Sequence, residues 1–234
     1  MLTVYSESPR RPSKRTGRTF VPAVVACIAA AIVLLAPRPA EYSESIVPSA
    51  LRKVAPNPSV LLGDRSVMDS EAYWVALRYW RTYAPRVSNT RYLTIIDYSK
   101  PSFAKRLFLI DLKSGRVEKY LVSHGKNSGR VFATAFSNSP ETFQSSRGFF
   151  VTGRKYCGKH GSALVLHGLQ RGINDNAFSR GIVMHGAGYV SMRSVLRNGG
   201  RLGRSLGCPA IPEEAAESVI DKIKNGSLLY VHAR

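Results

Sequence analysis

Apolar positions fall into three textures along the chain. The first is a single uncharged run, VPAVVACIAAAIVLLA at 21–36. The second has the helical period. In DSEAYWVALRYWRTYA (69–84), Tyr73, Trp74, Leu77 and Trp80 recur at i, i+1, i+4 and i+7, with acids first and arginines last. That spacing predicts an amphipathic helix whose aromatic stripe is a packing face. IPEEAAESVIDKIK, ending at Lys224, predicts another, with acids in its first turn, Lys222 and Lys224 in its last, and Asn225-Gly226 to stop it. The third texture is a series of short β-rich segments: Tyr92–Asp97, Arg106–Asp111, Val117–Ser123, Gly148–Gly153, Ala163–His167, Gly181–His185 and Leu228–His232. Lys113-Ser114-Gly115-Arg116 reads as the turn of a hairpin between the second and third. Many short strands with one or two helices predict a mostly-β (α+β) sandwich or barrel with a few peripheral helices, preceded by a helical N-terminal segment.

The first run changes the picture of where the protein works. Arg10, Arg11, Lys14, Arg15 and Arg18 precede it against one acid, Glu7. A basic flank followed by an apolar run is the order of an export signal, and it places everything after Pro37 outside the cytoplasm, in the periplasm or cell envelope. The run has 16 residues, and a membrane span needs about 20. A cut after Ala40 would put Arg38 at the −3 position, and Pro37 spoils a cut after Ala36. A cleaved signal and a retained membrane anchor both remain open. Pro37, Pro39, Pro48, Pro56 and Pro58 mark a linker, which gives three parts: 1–36 signal or anchor, 37–63 linker, 64–234 folded domain.

The 234-residue chain is 44% hydrophobic and 21% charged, ordinary globular usage that excludes wholesale disorder. Three cysteines without a CxxC pair exclude a disulfide-dense miniprotein and offer no zinc ribbon. Lys plus Arg is 34 against 15 Asp plus Glu, a net +19 that predicts an anionic partner. Residues 57–234 hold 26 of the basic and 12 of the acidic side chains. The basic residues there are scattered and not grouped on one helix, which with the export signal argues against nucleic acid.

Chemistry concentrates near the C-terminus. Val183-Met184-His185-Gly186 ends an apolar strand in a histidine and a glycine. Cys208 follows His185 by 23 residues, inside Gly203-Arg204-Ser205-Leu206-Gly207-Cys208-Pro209-Ala210. A thiol of ordinary pKa, about 8.5, is mostly protonated at neutral pH and becomes a nucleophile when an imidazole takes its proton. Glycines beside both residues let a substrate backbone approach and free amides to face an oxyanion. The nearby Arg197, Arg201 and Arg204 can hold a thiolate or a carboxylate. One Cys and five His also allow accidental pairs, and a cysteine before Pro-Ala is compatible with a small buried hydrophobe.

HG, 18 residues, then S-x-G-C resembles the catalytic motif of the L,D-transpeptidase (YkuD-type) family, here His185-Gly186 and Ser205-Leu206-Gly207-Cys208. Further blocks resemble its murein L,D-transpeptidase catalytic domain subfamily: IIDYSKPSFAKRLFLIDL (95–112), SHGKNSG (123–129), FSNSPETFQSSRGFF (136–150), YCGKHGSALVLHGL (156–169) and INDNAFSRGIVMHGAGYVS (173–191). The resemblance implies a mostly-β fold and no cofactor or metal. Cys208 would attack a peptidoglycan stem between the L-centre of meso-diaminopimelate and D-alanine, release D-Ala and pass the acyl group to an acceptor amine. It implies His185 as base, Ser205 and Gly186 as shapers of the imidazole site, and the amides of Gly207 and Cys208 as the oxyanion hole. His124, Asn127, Ser128, Tyr156 and His160 are expected to contact the stem peptide, or to hold loops, and Arg204 to bind a carboxylate.

Two positions depart from the family pattern. Leu206 stands where a histidine is usual, and Ala210 where a polar or basic residue is usual. No side chain is thus available to orient His185, which leaves that work to a backbone carbonyl. His167 and His232 read as structural histidines, and Cys157 as a free, partly buried thiol. Rival readings are a zinc hydrolase built on His124, His185 and Cys208, a non-catalytic wall-binding module, and, with the same thioester, a carboxypeptidase or wall-linkage hydrolase that uses water as acceptor. The sequence leaves the oligomeric state open.

Overall fold

The computed structural model describes residues 71–159 and 161–234. The signal or anchor segment 1–36, the linker 37–63 and His160 lie outside the described residues. The described chain runs α1 (Glu71–Tyr83), a 3-10 turn (Ala84–Arg86), β1 (Tyr92–Asp97), β2 (Leu107–Asp111), β3 (Val117–Tyr120), β4 (Gly148–Gly158), β5 (Gly161–Gly168), β6 (Val183–Gly186), α2 (Met192–Arg197), β7 (Ala210–Ile211), α3 (Glu213–Ile223) and β8 (Leu228–His232).

The strands form one eight-stranded sheet in the order β3-β2-β1-β8-β4-β5-β6-β7. The β1–β8 and β6–β7 pairs are parallel and the other neighbours antiparallel. The sheet nearly closes on itself. Just past β3, Ser123 reaches the far edge strand, its N–H donating to the Ala210 carbonyl in β7 at 2.8 Å. Of the two architectures the pattern allowed, the barrel-like one is realised.

Both faces of the central strands are covered. On one, Ile96, Leu107, Leu109, Phe150, Leu229 and Val231 meet Ala216, Val219, Ile220 and Ile223 of α3. On the other, Leu93, Ile95, Phe108, Ile110, Phe149, Leu228 and Tyr230 meet Ala72, Tyr73, Ala76 and Trp80 of α1. This is why LTII, LFLI and LLYV are continuous apolar runs rather than alternations: each residue has a core to enter. The buried stripe of α1 is turned from the predicted one. It is centred on Ala76, Trp74 is 56% exposed and Leu77 only half-buried. Alanines at 72 and 76 let the helix lie close to the sheet, and Trp74 instead packs edge-on against Tyr73 at 5.3 Å.

One predicted boundary shifts and two short elements are added. The strand predicted to stop at Gly153 continues to Gly158, because an irregularity between Thr152 and Lys155 absorbs the break and pairing resumes with β5. That extension carries Cys157, which is free and exposed rather than partly buried. The short helix α2 was not foreseen: it buries only Val195, too little for a periodic signal, and starts at Ser191, whose Oγ accepts from the Ser194 N–H at 3.2 Å. The two-residue β7 was hidden in the stretch after Cys208.

Candidate active site

Strand β6 delivers His185 and the preceding loop delivers the surroundings of Cys208. The Val183 N–H lies 3.5 Å from Cys208 Sγ, and Sγ lies 3.6 Å from the Gly181 carbonyl. His185 is two residues beyond Val183 on the same strand, hence on the same face and about 6.6 Å further along. The parallel β6–β7 register pairs His185 with Ala210, two residues beyond Cys208. The 23-residue separation in sequence thus closes to neighbouring strand positions.

The His185 ring is nearly buried, and its Nδ1 lies 2.8 Å from the Gly186 carbonyl. A carbonyl only accepts, so Nδ1 carries the hydrogen and, in the neutral ring, Nε2 carries the lone pair. The backbone thereby orients the ring. Gly186 itself is required by packing: a Cβ there would stand 2.9 Å from the Ala216 Cβ and 3.2 Å from the Glu213 Cα, so the start of α3 comes in directly against the strand.

The cysteine sits on a tight turn made by Ser205. The Ser205 Oγ–H donates to the Cys208 carbonyl at 2.6 Å and its oxygen accepts from the Gly207 N–H at 3.1 Å. Gly207 has φ +127°, a conformation L side chains rarely adopt, and a Cβ there would press on the Gln144 carbonyl at 3.0 Å. The turn is anchored from behind by buried serines. Ser145 Oγ donates to the Gly207 carbonyl at 3.0 Å and accepts from the Gly125 N–H at 2.9 Å, while Ser128 Oγ accepts from the Ser145 N–H at 2.7 Å.

Burial pushes the Cys208 thiol above its ordinary value of 9.0, opposed by the Val183 N–H, the Arg180 charge and the amide of Cys208 itself. The resting sulfur is therefore protonated at neutral pH, and reaction at it needs a base. Of the two amides expected to face an oxyanion, that of Gly207 is spent on Ser205 Oγ, whereas that of Cys208 points toward the sulfur.

The remaining expected residues separate into two groups. His124 is 1% exposed, with Nδ1 accepting from Arg106 Nη2 at 2.8 Å and Nε2 facing the Gly129 carbonyl at 3.3 Å. Burial and then the neighbouring Arg106 charge push its pKa down to about 4. His124 and Ser128 are both buried with their polar atoms engaged inside the protein. The zinc trio of His124, His185 and Cys208 is likewise not assembled, since both ring nitrogens of His124 are engaged. Asn127 is exposed and clasps the 139–144 segment, its Nδ2 donating to the Thr142 carbonyl at 2.9 Å. Arg204 is exposed, with Nη1 donating to the carbonyls of Lys126 and Gly129. Tyr156 pairs with Ala163 and Ala163 with His185, so it occupies the same row of the sheet about 10 Å from the histidine.

The residues missed in the sequence are the supports: Arg106, Ser145 and Arg180. Arg106 is fully buried, donating to the carbonyls of Val122 and Lys100 and to His124, with its guanidinium 4.7 Å from the Tyr98 ring centroid. Nothing in the one-dimensional pattern marks a strand-end arginine as interior.

Residues 64–232 match the family model of the L,D-transpeptidase catalytic domain. The chain belongs to that family. Solved structures similar to it include an L,D-transpeptidase from Mycobacterium smegmatis (18% identity, 61% of this chain and 59% of that one, TM-score 0.38). Two from Mycobacterium tuberculosis are an L,D-transpeptidase of strain H37Rv (13%, 61% and 58%, 0.41) and L,D-transpeptidase 3 (12%, 61% and 61%, 0.41). The chain thus spans less than two thirds of the length of each. No curated protein matches it. Among the described residues no group of three or more His, Cys, Asp or Glu is placed to hold a metal ion, and no helix is long and apolar enough to cross a membrane.

Proposed function

We propose that this member of the L,D-transpeptidase catalytic domain family is an exported peptidoglycan L,D-transpeptidase that works through a Cys208 thioester. The observation that carries the reading is a half-buried thiol held against the Val183 amide of the strand that, two residues further on, carries an imidazole with its Nδ1–H held by the Gly186 carbonyl. That arrangement offers the proton donor and the acceptor that nucleophilic attack by sulfur needs.

In the proposed reaction His185 Nε2 takes the Sγ proton as sulfur attacks the carbonyl between diaminopimelate and D-alanine. The carbon–sulfur bond forms, the carbon–nitrogen bond breaks, and the imidazolium returns the proton to the departing D-Ala amine. An acceptor amine then gives a proton to Nε2 as it displaces sulfur, and the thiol is restored. The Cys208 amide is the oxyanion donor in this scheme. Exposed Arg204 and Lys126 supply positive charge for stem carboxylates, and Tyr156, Asn127 and Ser205 shape the approach. Water in place of the amine would make the same thioester a carboxypeptidase intermediate.

The test is mass spectrometry of the full-length protein with a carbapenem and with a disaccharide-tetrapeptide. One acyl group is expected on Cys208, absent in Cys208→Ala and formed at least tenfold more slowly in His185→Ala, in line with the usual worth of a positioned base. An adduct that forms equally fast without the imidazole removes the base assignment. The muropeptides released distinguish cross-linking from trimming.

A further inference from the structure

We propose that Arg180 is a positioning residue of the cysteine site, clamping the 137–146 segment behind the Cys208 turn and setting a positive charge in the wall on which that turn rests. The inference rests on the reading of Cys208 as the nucleophile. It concerns a residue outside the His-Gly and Ser-x-Gly-Cys pair, and it answers how a family motif lacking its usual second histidine and its usual polar residue after the cysteine is completed.

Arg180 begins the stretch that meets the thiol. The next residue, Gly181, has its carbonyl 3.6 Å from Sγ, and Val183 has its amide 3.5 Å from it. The guanidinium turns across to the opposite wall. Nη2 donates to the Gln144 carbonyl at 2.9 Å and to Thr142 Oγ1 at 3.3 Å, and Nη1 donates to Ser146 Oγ at 2.6 Å and to the Ser137 carbonyl. The wall so held touches the turn directly. The Gln144 carbonyl occupies the space where a Cβ on residue 207 would go, and Ser145 Oγ donates to the Gly207 carbonyl.

The clamped segment would not choose this shape alone. Glu141 has φ 58° and Phe143 φ 53°, the left-handed region that disfavours a non-glycine residue. Four donations from one rigid fork over-determine it, and a lysine could not make them together.

The second part concerns charge. Every acceptor named above is neutral, so the guanidinium carries its positive charge into the site without a carboxylate against it. Its Nε is buried with no hydrogen-bond partner among the described residues. The ionisable group whose charge it favours is Cys208, and the effect is mutual. The other titratable groups around it are Tyr98 just past β1 and Tyr189 before α2, both coupled by charge to Cys208, and His185 on β6, two residues beyond the Val183 amide that meets the sulfur.

The experiment is alkylation of the full-length chain by iodoacetamide from pH 6 to 10, followed at the Cys208 and Cys157 peptides by mass spectrometry, with carbapenem acylation measured beside it. In Arg180→Gln the Cys208 profile is expected to move to higher pH, its rate at pH 7 falling about three- to tenfold, while Cys157 is unchanged. Arg180→Lys is expected to keep the alkylation profile near that of the parent and still lose most of the acylation rate, because charge returns without the clamp. A Cys208 profile that stays put in Arg180→Gln overturns the charge role. Unimpaired acylation in Arg180→Lys overturns the clamp. Should the glutamine variant not fold, as a thermal melt would tell, the lysine variant decides the clamp, and Arg180→Met takes the place of the glutamine variant in the alkylation test of the charge. Absence of any carbapenem adduct in the parent protein would sink the nucleophile reading instead, and the alkylation profile would still report on Arg180.

Discussion

The α1 side of the sheet and the cradle of Cys208 are built from different forces. On the α1 side, β1, β2 and β8 bury Leu93, Ile95, Phe108, Ile110, Leu228 and Tyr230 under Tyr73, Ala76 and Trp80, and the contacts are almost all apolar. In the cradle, Arg106, His124, Ser128, Ser145 and Ser205 are buried too, yet each is held by hydrogen bonds: Arg106, Ser128 and Ser145 to backbone atoms of other segments, His124 to Arg106, and Ser205 to the turn it makes. Apolar burial is non-directional and tolerates shape changes of a methyl group or so. A hydrogen-bonded cradle fixes positions to a fraction of an ångström, and each buried polar atom left without its partner costs about 1–3 kcal/mol. The molecule thus uses a forgiving half to stay folded and an exacting half to hold one sulfur and one imidazole.

The sharpest way to break this contrast is to remove the largest polar support. Arg106→Met keeps an unbranched apolar stem and deletes donations to Val122, Lys100 and His124. A loss of about 3 kcal/mol or more is expected from the orphaned carbonyls, read as a melting temperature about 10 °C lower. A loss under 1 kcal/mol would mean that water or a rearranged loop satisfies those groups, and the cradle would be less exacting than its geometry.

Acid tests the same network through His124. Its folded-state pKa is about 4 against an ordinary 6.5, lowered by burial first and by Arg106 second. The unfolded chain takes the proton first, so the contribution is complete above about pH 6.5 and is lost as pH falls from there toward 4. The full loss is on the order of 3 kcal/mol. Urea melts at pH 7.0, 5.5 and 4.5 should show this slope in the parent and a flatter one in His124→Gln. Parallel slopes would place the ring in a more solvated setting.

The same contrast explains what the sequence made legible. Strands β1 and β8 are readable to the residue because YLTIID and LLYVH need only be apolar to work, and α3 because Ala216, Val219, Ile220 and Ile223 repeat at the helical spacing. His185 and Cys208 are legible because glycines and a serine mark them. The supports are not, because a buried Ser145 or Arg106 has the same letter as a solvated one, and only the fold brings together partners as far as 62 residues apart. His124 shows the converse: it stands in a block resembling the family, which does not reveal that its ring is buried between Arg106 and the Gly129 carbonyl.

The smallest expected effects compare one atom with one atom. Ile95→Val removes a methyl from the α1 side, where Ile95 is fully buried, and about 0.5–1.5 kcal/mol should be lost with acylation of Cys208 unchanged. Ser145→Ala removes one oxygen from the cradle, leaving the Gly125 N–H and the Gly207 carbonyl without the partner each now has. Stability should fall by about 1–3 kcal/mol, but the telling readout is kinetic. Gly207 is held at φ +127° partly by that hydroxyl, so the turn presenting the sulfur loosens and the carbapenem acylation rate should drop by more than the change in folded fraction explains. Equal acylation rates in the two variants would show that the turn keeps its shape through Ser205 alone, and that the cradle behind it serves the fold rather than the chemistry.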